Sequence, residues 1–132
     1  MKNRPMLTLE DCRKISAAAE AEAAKNNWNV CIAILDDGGH LLHLARMDGA
    51  SPANARIAIA KGRTAAESRR STQVWEDRIK ARPEMLRMPG ITPIQGGLPV
   101  VVEGTCVGAV GISGVQSHED EQIAAAGIKA LG

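Results

Sequence analysis

The segment from Ile34 to Ala66 constrains the fold more than any other part of this chain. Trp28 to Leu35 is almost entirely apolar, and Asp36-Asp37-Gly38-Gly39 follows it as a strong turn signal. His40 to Met47 is then expected to return as an antiparallel strand. Ser51 is placed to cap a helix whose first residue is Pro52, a favoured position for proline. The segment therefore predicts a β-hairpin followed by a helix.

The apolar run before the turn predicts an interior strand, because after Asn29 it has no polar face. A helix is expected before it, since Thr8 and Asp11 have the spacing of a capping box and Asn26-Asn27 ends the Ala-rich pattern. The helix that follows Ser51 is expected to persist to about Ser68 or Ser71. Its small residues indicate tight packing on the sheet or on a second copy.

A second Gly-rich block near the C-terminus predicts another hairpin. Leu98 to Val102 and Thr105 to Ile112 are the expected strands, and Ser117 is placed to cap a last helix. Gly108 and Gly111 interrupt the second strand, which lets another backbone or a flat ligand approach closely. About five strands with flanking helices are expected in all.

The segment from Arg69 to Thr92 is charged and less regular. Trp75 and its apolar neighbours indicate a short helix and a loop, while Pro83 and Pro89 limit regular structure. We interpret this segment as a variable region that lies over a pocket.

Composition bounds the class of protein. The chain has 132 residues, which suits one domain spanning 1–132, and its two Trp without Phe or Tyr argue against a protein that stacks nucleic-acid bases. A net charge of +1 gives no electrostatic reason to expect nucleic acid or an anionic membrane as partner. No signal peptide and no run of roughly 20 apolar residues is evident, so a cytoplasmic location is expected.

The cysteines and histidines form no metal motif. Cys12, Cys31 and Cys106 have no CxxC spacing, and apolar neighbours predict buried, reduced thiols for the last two. His40 and His43 point to opposite faces of a regular strand, so they are not a metal pair unless a bulge intervenes.

Several motifs together closely resemble the GlcG/HbpS family, which includes the C-terminal domain of PduO-type proteins. The resemblance covers about Leu7 to Leu131 and leaves only Arg69 to Thr92 unconstrained. The matching motifs are DDGG at Asp36–Gly39, RMDGA at Arg46–Ala50, KGRTA at Lys61–Ala65, GGLP at Gly96–Pro99, GAVGISG at Gly108–Gly114 and Asp120-Glu121 near the last helix.

The resemblance implies a profilin-like α/β (α+β) fold in which helices flank an antiparallel sheet. It also implies homo-oligomers, from dimers up to octamers. Some members bind haem, whereas others accompany glycolate, diol or corrinoid metabolism. Haem is therefore the first candidate cofactor, with His40 as the first choice of iron ligand and His43 as the second. His118 opens a helix, where an exposed or neutral role is expected.

The segment from Arg46 to Ser51, between the second strand and the next helix, is the first candidate for a ligand site. Amides at the start of the Pro52 helix are suited to a carboxylate or propionate, and Arg46 is suited to pair with it beside Asp48 and Ser51. The alternative is structural, with Asp48 capping a turn and Arg46 pairing with Asp48. Five further candidates for the ligand site are Lys61, Gly96, Gly97, Ser113 and Gly114, although each of the last four is also typical of a structural turn.

Three functions remain open at this point. The first is a small-ligand-binding protein with haem or another tetrapyrrole as ligand. The second is a cofactor-independent isomerase, lyase or hydrolase acting on a small carboxylate or hydroxy acid, with Asp48 or His40 as general base and Arg46 or Lys61 holding the acid group. The third is an oligomeric accessory subunit. The sequence does not decide whether the chain is an enzyme.

Overall fold

The fold is one antiparallel sheet with helices on both faces. The computed structural model describes residues 1–132. Four strands lie in the order β2-β1-β4-β3, so the expectation of about five strands was wrong by one. The elements are α1 (Leu9–Lys25), β1 (Cys31–Asp36), β2 (Leu41–Arg46), α2 (Ala53–Ser68), α3 (Thr72–Ala81), a 3-10 turn (Pro83–Arg87), β3 (Gly97–Val102), β4 (Thr105–Ser113) and α4 (Ser117–Lys129).

The core lies on both sides of β1, which confirms the predicted interior strand. Ile32 and Ile34 pack with α1 and α4, whereas Cys31, Ala33 and Leu35 pack with α2 on the other face. All five of these side chains are fully buried. Strand β1 therefore carries the alternating contacts that hold the two helical layers to the sheet.

The predicted capping box is present at the start of α1. The backbone N–H of Thr8 donates to the Asp11 carboxylate at 2.9 Å, and the Asp11 N–H donates to Thr8 Oγ1 at 3.1 Å. These reciprocal bonds satisfy backbone donors that the first turn of a helix leaves free. Helix α1 ends before Asn26, as the sequence indicates.

Two other helix starts differ by one residue from the prediction. Helix α2 begins at Ala53, and Pro52 immediately before it already has helical dihedral angles. Ser51 does not cap the backbone; its hydroxyl oxygen accepts a bond from the Asn54 amide at 3.0 Å. Helix α4 is preceded by Gln116, whose N–H donates to the Glu119 carboxylate at 3.1 Å.

Glycine permits close contact between α2 and the sheet, as predicted for β4. A Cβ on Gly111 would collide with the backbone carbonyl of Ala58, and a Cβ on Gly62 would collide with the Leu35 side chain. Gly108 likewise lies against the carbonyl of Leu35. The small residues of α2 therefore serve tight packing on this chain's own sheet.

The segment from Arg69 to Thr92 forms α3 and the 3-10 turn and is fastened to α2. Trp75 is 7% exposed, and its indole Nε1 donates to Ser68 Oγ at 2.9 Å. The Thr92 N–H donates to Thr64 Oγ1 at 2.9 Å. None of the helices has the length and apolar character that crossing a membrane requires.

Candidate functional site

Most of the predicted site residues lie at one end of the sheet. Arg46 is opposite Cys31, and Cys31 is opposite Ser113 on its other side. Gly97 at the start of β3 is opposite Gly111. The ends of β2 and β4 and the starts of α2 and α4 therefore meet at this end of the sheet. We call this end the corner.

A hydrogen-bonded chain of three side chains joins β4 to the start of α2. Ser113 is 5% exposed, and its Oγ donates to Asn54 Oδ1 at 2.7 Å. The Asn54 amide then donates to Ser51 Oγ at 3.0 Å. Ser51 and Ser113 were candidate site residues from the sequence, whereas Asn54, which connects them, was not. A polar amide in the first turn of an otherwise Ala-rich helix was the available signal.

Arg46 and Asp48 are exposed and free of partners within the chain. Neither side chain makes an ion pair with the other, and neither donates or accepts a hydrogen bond. The first turn of α2 contains no acidic residue and has no side-chain cap. Because a helix start favours negative charge, Arg46 and this helix end together suit an anionic group.

Lys61 points into the core. Its ammonium donates to the Asp120 carboxylate at 2.9 Å and to the carbonyl of Ile112 at 3.1 Å. Burial raises the pKa of Asp120, and the Lys61 ammonium partly offsets that effect. The sequence placed Asp120 only near the last helix, as part of a motif of the family. Its position three residues before buried Ile123 on the apolar face was the signal that it needs a partner.

The glycines of the second block support this buried pair. A Cβ on Gly96 would lie 2.7 Å from Lys61 Nζ, and a Cβ on Gly97 would collide with the Lys61 carbonyl. The Gly97 N–H donates to Thr72 Oγ1 at 2.9 Å. Gly114 has a φ of 152° and lies against the carbonyl of Asn29. The polar groups beside these glycines are therefore groups of this same chain, from Lys61, Thr72 and Asn29.

His40 lies at the other end of β2 from Arg46. The two residues are six positions apart in the sequence, which corresponds to roughly 20 Å of extended chain. Its Nδ1 is 3.3 Å from Asp36 Oδ1, while the rest of the ring is largely exposed. A histidine that ligates a metal through one nitrogen commonly bonds a carboxylate through the other. His40 therefore has a suitable arrangement but is remote from the corner.

The other two histidines differ from His40. A bulge does interrupt β2, because the register shifts between Ile34 and Leu35 and leaves Leu42 without a partner. The strand is therefore not regular, and His40, whose carbonyl accepts a bond from the Asp36 N–H at 2.8 Å, lies on the same side of the sheet as His43. His43 is opposite Ile34, on the α1 side of the sheet, and its Nδ1 is buried without a hydrogen-bond partner. His118 is exposed in the first turn of α4. No three His, Cys, Asp or Glu side chains are grouped closely enough to hold a metal ion.

The thiols do not supply an iron ligand at the corner. Burial raises the pKa of Cys31, so the thiol is held in its protonated form. Cys12 is buried too, whereas Cys106 is only half-buried. The expectation of a buried thiol is therefore confirmed for Cys31 and wrong for Cys106, because Cys106 lies beside the bulge that interrupts the β3–β4 pairing.

Two cavities are present, and neither lies at the corner. One of about 210 Å³ is lined by Leu7, Val102, Val107 and Leu131, together with Pro5, Met6 and Asp11. The other, of about 300 Å³, is lined by Arg78, Ala81, Arg82 and Met85. The corner is thus an open surface rather than an enclosed pocket within one chain.

Sequence comparison identifies the family. A family model described as "Haem degrading protein HbpS-like" matches residues 7–129. The chain belongs to this family. It is 46% identical to Protein GlcG of Escherichia coli (strain K12) over 114 residues, covering 86% of this chain and 85% of that protein.

Solved structures of the HbpS-like fold agree with this assignment. A double mutant of Streptomyces reticuli HbpS superimposes with a TM-score of 0.92 at 33% identity, covering 100% of this chain and 91% of the other. The haem complex of PduOC superimposes with a TM-score of 0.87 at 24% identity, covering 96% of this chain and 95% of the other. The implied family, and its α/β fold with an antiparallel sheet, are therefore confirmed.

Proposed function

We propose that this HbpS-like chain binds a small ligand that carries a carboxylate, with haem or another tetrapyrrole as the first candidate. The observation that carries this proposal is the unpartnered Arg46 at the end of an exposed apolar strip. Arg46 and Leu44 lie opposite Cys31 and Ala33, whose side chains face α2, so both belong to the α2 side of the sheet. A cation at the end of an apolar strip matches a flat apolar molecule with an acidic edge.

The strip itself consists of three exposed leucines on β2. Leu41, Leu42 and Leu44 are 46%, 39% and 38% exposed, although leucine is usually buried. The bulge brings Leu41 opposite Leu35, which also faces α2. Helix α2 covers mainly β1 and β4 on this side and leaves the leucines uncovered.

The corner fits the periphery of a tetrapyrrole but not its metal. Arg46, Ser51 and the start of α2 suit a propionate, and Leu44 suits the ring. Met47 packs into the α1 side of the core, and the Cys31 thiol is protonated. His40 is remote from Arg46 in the same chain. The residues at this corner would therefore hold a porphyrin by its edge and face, and they include no ligand for its iron.

The comparisons support haem only at the level of the family and fold. The family description names haem degradation, and PduOC, which shares this fold, forms a complex with haem. The proposal that Arg46, Asp48, Ser51 and Ser113 form the ligand site rests on the geometry of the corner. Homo-oligomerisation and a cytoplasmic location remain our predictions.

The alternatives gain no comparable observation. Asp48 would be the base of a cofactor-independent enzyme, yet no other side chain orients it. A purely structural role would not explain why the leucines of β2 and Arg46 are exposed. Binding of a small ligand is therefore the function that the corner supports best.

Titration with haem and with metal-free protoporphyrin IX tests this proposal. We expect both to bind, since the corner contacts the edge and face of the ring. Arg46→Gln should weaken both by about tenfold or more, because a charge-assisted hydrogen bond is lost. Arg70→Gln is the matched control, as Arg70 is exposed beyond the far end of α2. Unchanged binding in Arg46→Gln, or no binding by the wild type, would refute the assignment.

A further inference from the structure

We infer that His40 and His43 together chelate one divalent transition-metal ion on the α1 side of the sheet. This site is separate from the corner, because Arg46 is opposite Cys31 and lies on the α2 side. The ion is bound directly by imidazole nitrogens, without a porphyrin. The inference therefore goes beyond the proposed function and does not depend on it.

The bulge in β2 brings the two rings to one side of the sheet. In a regular strand, residues three apart point to opposite sides. Here Leu42 is the extra residue and has no partner on β1, while His43 is opposite Ile34, which packs with α1. The Asp36 N–H donates to the His40 carbonyl at 2.8 Å, so His40 is opposite Asp36. Because Ile34 and Asp36 are two residues apart, both histidines lie on the α1 side.

The two histidines occupy neighbouring places on that side. Their partners on β1, Ile34 and Asp36, are separated by about 7 Å of strand, which is the spacing of residues i and i+2 on one face. The His40 side chain is 82% exposed, so its ring is free to turn toward His43. An imidazole nitrogen binds a metal such as zinc at about 2.0–2.1 Å. Two rings at this spacing are therefore able to reach the same ion.

The ring of His40 is oriented so that its outer nitrogen is free. Its Nδ1 lies 3.3 Å from Asp36 Oδ1. The same carboxylate oxygen accepts the backbone N–H groups of Gly38 and His40, both at 2.9 Å, which holds it beside the ring. A carboxylate in this position keeps the ring proton on Nδ1 and leaves the lone pair on Nε2 for a metal.

The ring of His43 also offers its Nε2. Its Nδ1 is buried without a partner, whereas Nε2 is neither buried nor hydrogen-bonded. Coordination through Nε2 places the ring proton on Nδ1, which has no acceptor, and this lowers the affinity of the site. No third His, Cys, Asp or Glu is grouped with the pair. Water therefore fills the other coordination positions, and the ion exchanges readily.

The nitrogen ligands select the class of ion. Imidazole suits Zn²⁺, Ni²⁺ and Cu²⁺, whereas Mg²⁺ and Ca²⁺ prefer oxygen ligands. Among the divalent first-row ions Cu²⁺ binds most tightly, and its tetragonal geometry accepts two nitrogens together with water. We therefore expect Cu²⁺ to bind more tightly than Ni²⁺ or Zn²⁺, and Mg²⁺ not to bind.

Calorimetric titration of the porphyrin-free chain with salts of these four metals tests the site. A Cys106→Ser background removes a half-buried thiol that would compete for the metal. His40→Ala removes one ligand and should weaken Cu²⁺ binding by about tenfold or more, and Asp36→Asn should weaken it by about tenfold through the orientation of His40. His118→Ala, which changes an exposed histidine on α4, should leave the affinity unchanged.

A swap within the strand separates chelation by two rings from binding by one. His43→Leu/Leu44→His keeps two histidines in β2 but moves one to the α2 side, because Leu44 is opposite Ala33. Electron paramagnetic resonance of the Cu²⁺ complex should show two imidazole nitrogens in the parent protein and one in the swap.

Three outcomes would overturn the inference: no Cu²⁺ binding by the parent, a single imidazole nitrogen in its spectrum, or equal affinity in the parent and His40→Ala. His40→Ala keeps the test decisive if the swap does not fold, since His40 is exposed before β2. None of these outcomes bears on porphyrin binding at the corner, which is measured separately with Arg46→Gln.

Discussion

The Lys61 ammonium lies 2.9 Å from the Asp120 carboxylate, and the two side chains are only 3% and 2% exposed. The pair ties α2 to α4 across the end of β4, since Lys61 also donates to the Ile112 carbonyl. The Val115 N–H donates to the other Asp120 oxygen at 3.2 Å. The charges are therefore neutralised and hydrogen-bonded inside a core where either alone would be costly.

Removing the cation should destabilise the protein strongly. Lys61→Met leaves the Asp120 carboxylate buried without its ion-pair partner, and we expect a loss of about 3–5 kcal/mol in the free energy of unfolding. Urea denaturation measures this loss. Lys61→Met/Asp120→Leu should recover most of it, because neither charge then remains in the core.

A surface ion pair supplies the control. Lys80 is 72% exposed and lies 3.8 Å from Glu76. Lys80→Met should therefore change the free energy of unfolding by less than about 1 kcal/mol. Equal losses in the free energy of unfolding for Lys61→Met and Lys80→Met would show that the buried ion pair stabilises the protein no more than the exposed one.

The pairing of Lys61 with Asp120 is a contact that the sequence did not predict. Periodicity placed Lys61 on an Ala-rich helix and Asp120 at a helix start, and both placements are correct. Their pairing depends on how α2 and α4 approach the end of β4, which is a property of packing between distant segments. The sequence offered Lys61 as a group that binds a ligand and did not indicate that either charge is buried.

Adding a methyl group at Gly111 should be far more damaging than adding one at an open glycine. A Cβ there would collide with the carbonyl of Ala58 and with the backbone of Gly62, so α2 would have to move off the sheet. We expect Gly111→Ala to cost about 3 kcal/mol or more in the free energy of unfolding, measured by urea denaturation.

Gly104→Ala is the matched control for this substitution. Gly104 lies in the β3–β4 turn with a φ of 78°, and nothing lies within 4 Å of its added Cβ. Its cost should be about 1 kcal/mol, from backbone strain alone. A Gly111→Ala protein as stable as Gly104→Ala would mean that the helix and sheet are not in close contact.

The three cysteines should react at very different rates in the folded protein. Burial raises the pKa of Cys12 and of Cys31, so both thiols are protonated and shielded, whereas Cys106 is half-buried. We expect Ellman's reagent to label one thiol rapidly and the other two only on unfolding. Cys106→Ser should abolish the rapid phase, and a rapid phase that persists in this variant would contradict the predicted order.

The site was predicted less completely than the fold, for a physical reason. Strand and helix patterns follow from local periodicity, which placed both hairpins and α2 with ends that differ by one to three residues from those observed. The sequence also singled out Arg46 and Ser113, which meet at one end of the sheet because β2 and β4 flank β1. The sequence could not show that His40 is remote from these two residues. That distance along the edge strand is known only once the strand register is known.

Neutralising Asp36 should reduce the sensitivity of the protein to acid. Burial tends to raise the pKa of Asp36, but hydrogen bonds from the backbone of His40 and Gly38 lower it below its ordinary value of 3.8. A lowered pKa in the folded state means that the unfolded state binds more protons near and below pH 3.8. The contribution of Asp36 to stability is therefore present above pH 3.8 and is lost as the pH falls through the folded-state pKa.

Urea denaturation of wild type and Asp36→Asn between pH 2.5 and 6, roughly the range over which carboxylates titrate, measures this contribution. The wild type should lose more stability than Asp36→Asn as the pH falls, because only the wild type must protonate this carboxylate. Asp77→Asn is the control, since Asp77 is exposed on α3 and accepts no hydrogen bond; its curve should run parallel to that of the wild type. Parallel curves for wild type and Asp36→Asn would show that the His40 and Gly38 bonds do not favour the ionised carboxylate.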